Sequence, residues 1–311
     1  MEKGTTVQIL DHGYMKYIDS MGNDEAIVEA ARMSTDKGFI SWDPYIRCKK
    51  CSTVLPMPEG AHAVVPPSEC SHDFEKAPNG DLGLLDNLWR NRHATPFEMG
   101  ELVIEVQAPI FVFREWHRHR TQSYNELSAR YTQMPNLHYL PNPERIQKQS
   151  AHNKQGSAEP VPKEDAGRIL LKLEMEQMEI YENYDGLVEE GVAKEIARIN
   201  TPVSRYSKMR AKGNVRNWFG FCNLRKRPGA QWEIRQFTDA LGNIIQSIWP
   251  KAWALFEEYD LYGASFSRTE LEIIRRNLGM GSLEMDAGSD LKGTKLKEFM
   301  NKIEFGGKKI L

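Results

Sequence analysis

Residues 113–131, FREWHRHRTQSYNELSARY, constrain this chain more than any other stretch. Arg114, Arg118, Arg120 and Arg130 crowd together with His117 and His119, beside Trp116, Tyr124 and Tyr131. Like charges repel, so this cluster costs stability unless something anionic binds there. The same stretch holds Ser123, Asn125, Glu126 and Ser128, a dense set of hydrogen-bonding groups. The segment therefore reads as an anion site, with a nucleotide as the expected anion.

The rest of the chain makes the anion site local. The 311 residues carry a formal net charge of -2, so the molecule as a whole is no polyanion binder. Affinity for a nucleotide must come from clusters such as this one. Hydrophobic residues make up 40% and charged residues 27%, which suits one large globular domain with additions, or two domains. No apolar run reaches the roughly 18 residues of a membrane span. The N-terminus lacks the basic and then apolar pattern of a signal peptide, so a cytoplasmic protein with no membrane partner is expected. Four cysteines do not suggest a disulfide framework.

Periodicity predicts the elements around the cluster. VQIL reads as a strand, and NDEAIVEAARMS as a helix capped by Asn23 or Asp24. DLGLLDNLWRN places Leu84, Leu85, Leu88 and Trp89 on one helical side. ELVIEVQ alternates and reads as a strand, and Pro109 suits the first turn of a helix over about 109–120. Residues 142–165 read as an exposed loop before a long amphipathic helix carrying Ile169, Leu173, Ile180, Tyr184 and Leu187. AKEIARI and WEIRQFTDALGNIIQSI read as further helices, the second ended or kinked by Pro250. From about 264 the chain is Gly- and charge-rich, with helical patches at TELEIIRRNL and KLKEFMNKI.

On a helix over 109–120, Arg114 and Arg118 share one face and Trp116 and Arg120 another, so positive charge points in several directions. ELSARY has period two, which puts Ser128 and Arg130 on one side of an extended segment. A hydroxyl beside a guanidinium makes a sensible phosphate clamp. A solvated basic helix end paired with nearby acids is the bland alternative, and the residues alone leave it open.

Arg118-His119-Arg120, seven residues and then Ser128 resemble the signature of the flavin-dependent thymidylate synthases, the ThyX family. AARMS at 30–34, HATPFE at 93–98, SYNELSARY, EIAR at 195–198, NLR at 223–225 and AQWEIRQF also fit that family, in order. The resemblance covers roughly residues 5–40 and 81–262. It implies formation of dTMP from dUMP, with methylenetetrahydrofolate as one-carbon donor and NADPH as reductant through FAD. It also implies a homotetramer with shared active sites, small-molecule substrates and no nucleic-acid partner. By resemblance, dUMP meets Arg118, Glu126, Ser128, Arg130, Arg198 and Arg225, with Glu115 at a position near its phosphate. FAD meets Thr95, Arg118, His119, Arg120, Asn125, Glu126, Asn214 and Arg216. Arg225 matches the catalytic arginine of the family, where a fixed guanidinium stabilises negative charge developing on the pyrimidine.

The chain departs from that pattern at four places. Glu115 stands where the family often has Gln, and a carboxylate against phosphate is repulsive, so Glu115 is expected to pair with an arginine. Met99 and Gly229 replace histidines, and Gly220 an asparagine, found in some members. Cys222 lies in the apolar helical context NWFGFCNLR and reads as a core residue rather than a nucleophile.

Residues 41–80 fall outside the resemblance. Cys48 and Cys51 form C-x-x-C, and Cys70 and His72 follow after eighteen intervening residues. Such spacing fits a structural zinc site, with His62 as an alternative fourth ligand. Free thiols in a surface loop are the alternative. The expected organisation is α+β: a ThyX-like mixed α/β catalytic domain from 1–40 and 81–263, an inserted Cys/His module at 41–80, and a C-terminal extension at 264–311. A nucleic-acid-binding protein with a zinc-ribbon-like module and an Arg-rich helix is the rival reading; the near-neutral charge and the lack of a long basic stripe speak against it.

Overall fold

The computed structural model describes residues 1–51, 53–57, 70, 73–151 and 154–277. The chain divides after Leu261 into two units. The first unit begins with strands β1 (Thr6–Ile9) and β2 (Gly13–Met21) and helix α1 (Asp24–Arg32). Short strands β3 (Tyr45–Cys48), β4 (Val54–Pro56) and β5 (Phe74–Ala77) follow, then α2 (Leu82–Arg90), β6 (Glu101–Pro109), α3 (Ile110–Trp116) and β7 (Ser123–Glu126). Strands β8 (Gln147–Gln149) and β9 (Ser157–Pro160) precede the long α4 (Lys163–Glu189) and the single-turn α5 (Lys194–Ala197). Strand β10 (Tyr206–Asn214), α6 (Val215–Arg225), α7 (Trp232–Ile248) and α8 (Pro250–Phe256) complete the unit.

The main sheet has the order β1-β2-β6-β10-β7, and every neighbouring pair is antiparallel. Alternation decides which face is covered. Leu102, Ile104, Val106 and Ala108 of β6 are buried, as are Met209 and Ala211 of β10. The intervening Glu105 and Arg210 pair across the other face, where Tyr14 also donates to Glu105. On the apolar face, Val112, Phe113 and Trp116 join α1, α2, α6, α7 and α8 in one core. The α+β expectation therefore holds.

Local chemistry explains the helix ends. The Asn23 side chain accepts from the Ala26 N–H at 3.0 Å, an N-cap for α1. Asp24, the alternative cap, reaches instead across the core, where its carboxylate accepts from the Lys251 and Ala252 N–H groups at the start of α8. Ile234, Phe237, Leu241, Ile244 and Ile245 form the buried stripe of α7. Pro250 ends that helix by opening the next one. Gly80 sits at φ +53, and a Cβ there would lie 2.3 Å from the Trp42 carbonyl oxygen, so only glycine fits this corner.

Four expectations are corrected. α3 stops at Trp116, so Arg118 and Arg120 lie in the turn after it rather than on a helix running to 120. Trp116 is fully buried against Phe221 and takes no part in a basic surface. ELSARY is not extended: β7 ends at Glu126, and the Tyr131 and Thr132 N–H groups donate back to the Ser128 carbonyl, which makes 128–132 a turn. Residues 142–165 are not all loop, because β8 and β9 pair as a short hairpin and α4 starts at Lys163.

The second unit, Tyr262–Leu311, is described to residue 277. Helix α9 (Arg268–Asn277) opens with a capping box: the Ser267 N–H donates to Glu270, and Ser267 Oγ accepts from the Glu270 N–H. The expected patch KLKEFMNKI lies outside the described residues. Among the described residues, no helix is long and apolar enough to cross a membrane.

Candidate nucleotide site

Two elements hold the centre of the site. α6 is anchored by the buried Trp218, Phe219, Phe221 and Cys222. Its last residue, Arg225, therefore emerges at a fixed place, against the α3 end. Arg225 Nε donates to His119 Nε2 at 3.0 Å, one Nη donates to Glu115 Oε2 at 2.7 Å, and the other to the Glu115 carbonyl at 2.9 Å. Three of the five guanidinium N–H groups are thus used, and two are left for a ligand. Glu115 does pair with an arginine, and the partner is the predicted catalytic one. Burial raises its pKa despite that pairing, with nearby Glu233 adding to the rise. Burial, reinforced by the Arg225 charge, lowers the His119 pKa to about 4, so His119 is a neutral acceptor. Glu115 and Arg225 border a polar cavity of about 1020 Å³ that also takes in Arg145, Arg235 and Gly229.

A second group gathers where β7 leaves the sheet. Ser207 of β10 donates to Glu126 at 2.7 Å. Arg114, Glu126, Glu195, Arg198 and Arg205 line a cavity of about 540 Å³. Leu127 and Ala129 line it too, so their chain neighbours Ser128 and Arg130 stand beside it. Ser128 Oγ accepts from the Arg130 N–H, while the Arg130 guanidinium pairs with Glu195 at 3.0 Å on an exposed surface. The α4 face beneath holds this loop: the Met134 N–H donates to the buried Tyr184 hydroxyl.

A third group surrounds the 3₁₀ turn Thr95–Glu98, which Phe97 anchors in the core. Arg216 pairs with Glu98, and Asn214 caps α6 by accepting from the Asn217 N–H. Arg92, His93, Arg216, Gly220 and Asn223 line a cavity of about 270 Å³ floored by Trp89, Phe97, Phe219 and Phe256. A Cβ on Gly220 would meet nothing, so the missing asparagine leaves room rather than a strained backbone. Asn125 sits exposed on β7, opposite Arg210.

The bland alternative for the basic stretch required acids beside it. Arg114, Arg118 and Arg120 are exposed and, like Arg198, form no side-chain hydrogen bond or ion pair with the described residues. The single chain does not bring the predicted residues into one pocket: Arg225 with Glu115 and His119, Glu126 with Arg198, and Thr95 with Arg216 stand in three groups. Sequence reasoning passed over Arg205. It is 7% exposed, its Nε and one Nη lack hydrogen-bond partners, and it lines the Arg198 cavity. The only sequence signal was a lone arginine between Pro202 and a strand. Cys222 is wholly buried, which pushes its thiol up to about 12 and makes it no nucleophile.

The fold and these cavities define an α+β protein that leaves several arginines without acid partners among the described residues. Comparison with known proteins narrows this class. Residues 16–251 match the family model described as thymidylate synthase complementing protein. Flavin-dependent thymidylate synthase from Thermus thermophilus is 38% identical over 304 residues, 97% of either chain. The protein of that name from Wolbachia pipientis wMel is 37% identical over 86% of this chain and 82% of its own. Among solved structures, the UMP/dUMP methylase PolB from Streptomyces cacaoi, bound with 5-Br UMP, superposes with a TM-score of 0.64 at 27% identity, covering 82% of this chain and 98% of that one. The chain belongs to the flavin-dependent thymidylate synthase family.

Proposed function

We propose that this protein methylates dUMP to dTMP, with methylenetetrahydrofolate as one-carbon donor and NADPH as reductant through FAD. The observation that carries the reading is the set of arginines left without acids among the described residues, Arg114, Arg118, Arg120 and Arg198, together with Arg225, which Glu115 and His119 hold in place. A nucleotide monophosphate and a dinucleotide together need several cations, and the chain supplies them.

The residues fit FAD. Gly220 opens an aromatic-floored cavity beside Arg92, Arg216 and Asn223, donors suited to ribityl and phosphate oxygens. Thr95, His119, Arg118, Arg120, Asn125, Glu126 and Asn214 are the further contacts in this reading. Bound FAD supplies the hydride chemistry. At about 270 Å³ the cavity lies below the usual range for a ligand of this size, which favours a site completed by another copy of the chain. The same holds for the separated groups around Arg225 and Arg198, and supports the homotetramer.

Arg198, Ser128 and Arg130, with Arg205 behind them, hold the dUMP phosphate. Arg130 must leave Glu195 to do so, an exchange that an exposed pair permits at little cost. Arg225 offers its two spare donors to the pyrimidine. Glu115 and His119 fix its orientation, so the charge is already aimed when negative charge develops on the ring. His119 stays neutral beside Arg225 and adds no repulsion. Glu115 is a positioning residue here, not a phosphate contact.

Protein purified without added flavin should show flavin absorbance. Reduced enzyme should turn over only when dUMP is present, and UMP at equal concentration measures the preference for the deoxy sugar. A colourless protein that takes up no FAD would end this reading.

A further inference from the structure

The module at 41–80 contains none of the residues placed in the proposed reaction, yet it holds the tightest cluster of soft ligands among the described residues. The Sγ atoms of Cys48, Cys51 and Cys70 lie within 4.8 Å of one another. Cys70 Sγ is 3.4 Å from Cys48 Sγ and 3.5 Å from Cys51 Sγ. A disulfide needs sulfurs about 2.05 Å apart, so none is formed, and three sulfurs leave one over in any pairing. Tetrahedral thiolates at about 2.3 Å from one zinc ion lie about 3.8 Å apart, close to what is seen.

The backbone around Cys48 is shaped for thiolate. Cys48 Sγ accepts from both the Lys50 and the Cys51 N–H at 3.4 Å. The knuckle is closed by the Cys48 N–H donating to the Thr53 carbonyl and the Lys49 N–H donating to the Asp73 carbonyl. Cys48 and Cys70 are 1% and 6% exposed. Two buried thiolates and the exposed Cys51 thiolate, packed this closely, repel one another, and a divalent cation turns that repulsion into attraction.

The described residues of the module also give it little to hold itself together. Its sheet, β4-β3-β5, has strands of three and four residues. Among its described residues, Tyr45, Ile46, Cys48 and Cys70 are the buried apolar groups. Sheets this small need a staple. At the other end β3 is bolted to the catalytic unit: the Tyr45 hydroxyl donates to the buried Asp81, which also pairs with Arg32 of α1 and accepts from the Ile40 N–H.

We propose that Cys48, Cys51 and Cys70 bind one structural Zn²⁺ per chain as thiolates, and that this ion holds the cysteine end of the module together. Binding releases the protons of the three thiols and changes no oxidation state. The structure assigns these three ligands; His72, the fourth of the sequence expectation, lies outside the described residues. The proposal stands independently of the reaction above, because no flavin or dUMP residue belongs to the module.

Elemental analysis of full-length protein, purified without chelator and without a metal-affinity column, tests it. About one zinc per chain is expected. Native protein should resist a thiol reagent, and three thiols should become reactive once a chelator removes the zinc, with buried Cys222 silent throughout. Cys51→Ser, the exposed ligand, should drop zinc well below one per chain and speed proteolysis within 41–80 while flavin absorbance is kept. If Cys51→Ser fails to fold, the wild-type zinc content and thiol count still decide. Substoichiometric zinc with three freely reactive thiols in the native protein overturns the proposal, as does iron in place of zinc.

Discussion

In the proposed reaction Arg225 has two jobs that substitution separates. Arg225→Ala should lower turnover even at saturating dUMP, and should also leave the half-buried Glu115 without its partner. The pair is about a quarter exposed at most, so the stability loss should be about 1–3 kcal/mol rather than the full cost of a buried orphan charge. Arg225→Ala with Glu115→Ala should restore stability but not turnover. Arg130→Ala should instead raise KM for dUMP roughly ten- to a hundredfold, the cost of one charge-assisted bond, with turnover less affected. Full turnover of Arg225→Ala at saturation would remove Arg225 from the chemistry. His119 gives a pH signature. Its pKa falls from 6.5 to about 4 on folding, so the unfolded chain takes up the proton first. The stability tied to neutral His119 is complete above pH 6.5 and drains away as pH falls towards 4. Unfolding of flavin-free His119→Gln by denaturant should depend less on pH in that window; identical slopes would deny His119 a neutral folded state. At this scale the sequence was informative where motifs carried spacing, and silent where partners came from afar. Glu115 meets Arg225 across 110 positions, and Arg205 becomes notable only once a cavity forms beside it.

Elements with a strong period were legible. α7 matches its expected span, and β6 its alternation. β2 and β10 went unread, although YSKMRAKGN alternates, because Lys208, Arg210 and Lys212 on its open face resemble a charged loop. α3 was drawn too long, since nothing in the sequence shows that His117 and Arg118 close it with turn hydrogen bonds to Phe113 and Glu115. Asp24 was legible only as a cap for α1, whereas it serves α8, 227 positions away. Asp24→Ala should therefore lower the denaturant midpoint by about 1–2 kcal/mol of stability, and Asp24→Asn by less. Equal midpoints for wild type and Asp24→Ala would show that the bridge from α1 to α8 adds nothing.

On the whole molecule, the sequence's amphipathic α4 turns out to be more exposed than a monomer's helix should be. Of its residues only Ala166 and Tyr184 are buried, while Leu171, Met175 and Met178 are 56–62% exposed along one stripe. The proposed tetramer would cover such a stripe, and the divided groups of site residues would then meet between copies. Met175→Glu should reduce the mass measured by light scattering and weaken dUMP binding together; an unchanged mass would place the interface elsewhere. A meeting of residues between copies, as the proposed tetramer requires, cannot be read from spacing within one chain, whereas the family blocks can.

The reaction itself is the most direct test. Flavin-loaded protein, supplied with dUMP, NADPH and methylenetetrahydrofolate labelled in its one-carbon unit, should yield dTMP carrying that label, and none when dUMP is left out. A folded, flavin-loaded protein that oxidises NADPH under these conditions but forms no labelled dTMP would contradict the account.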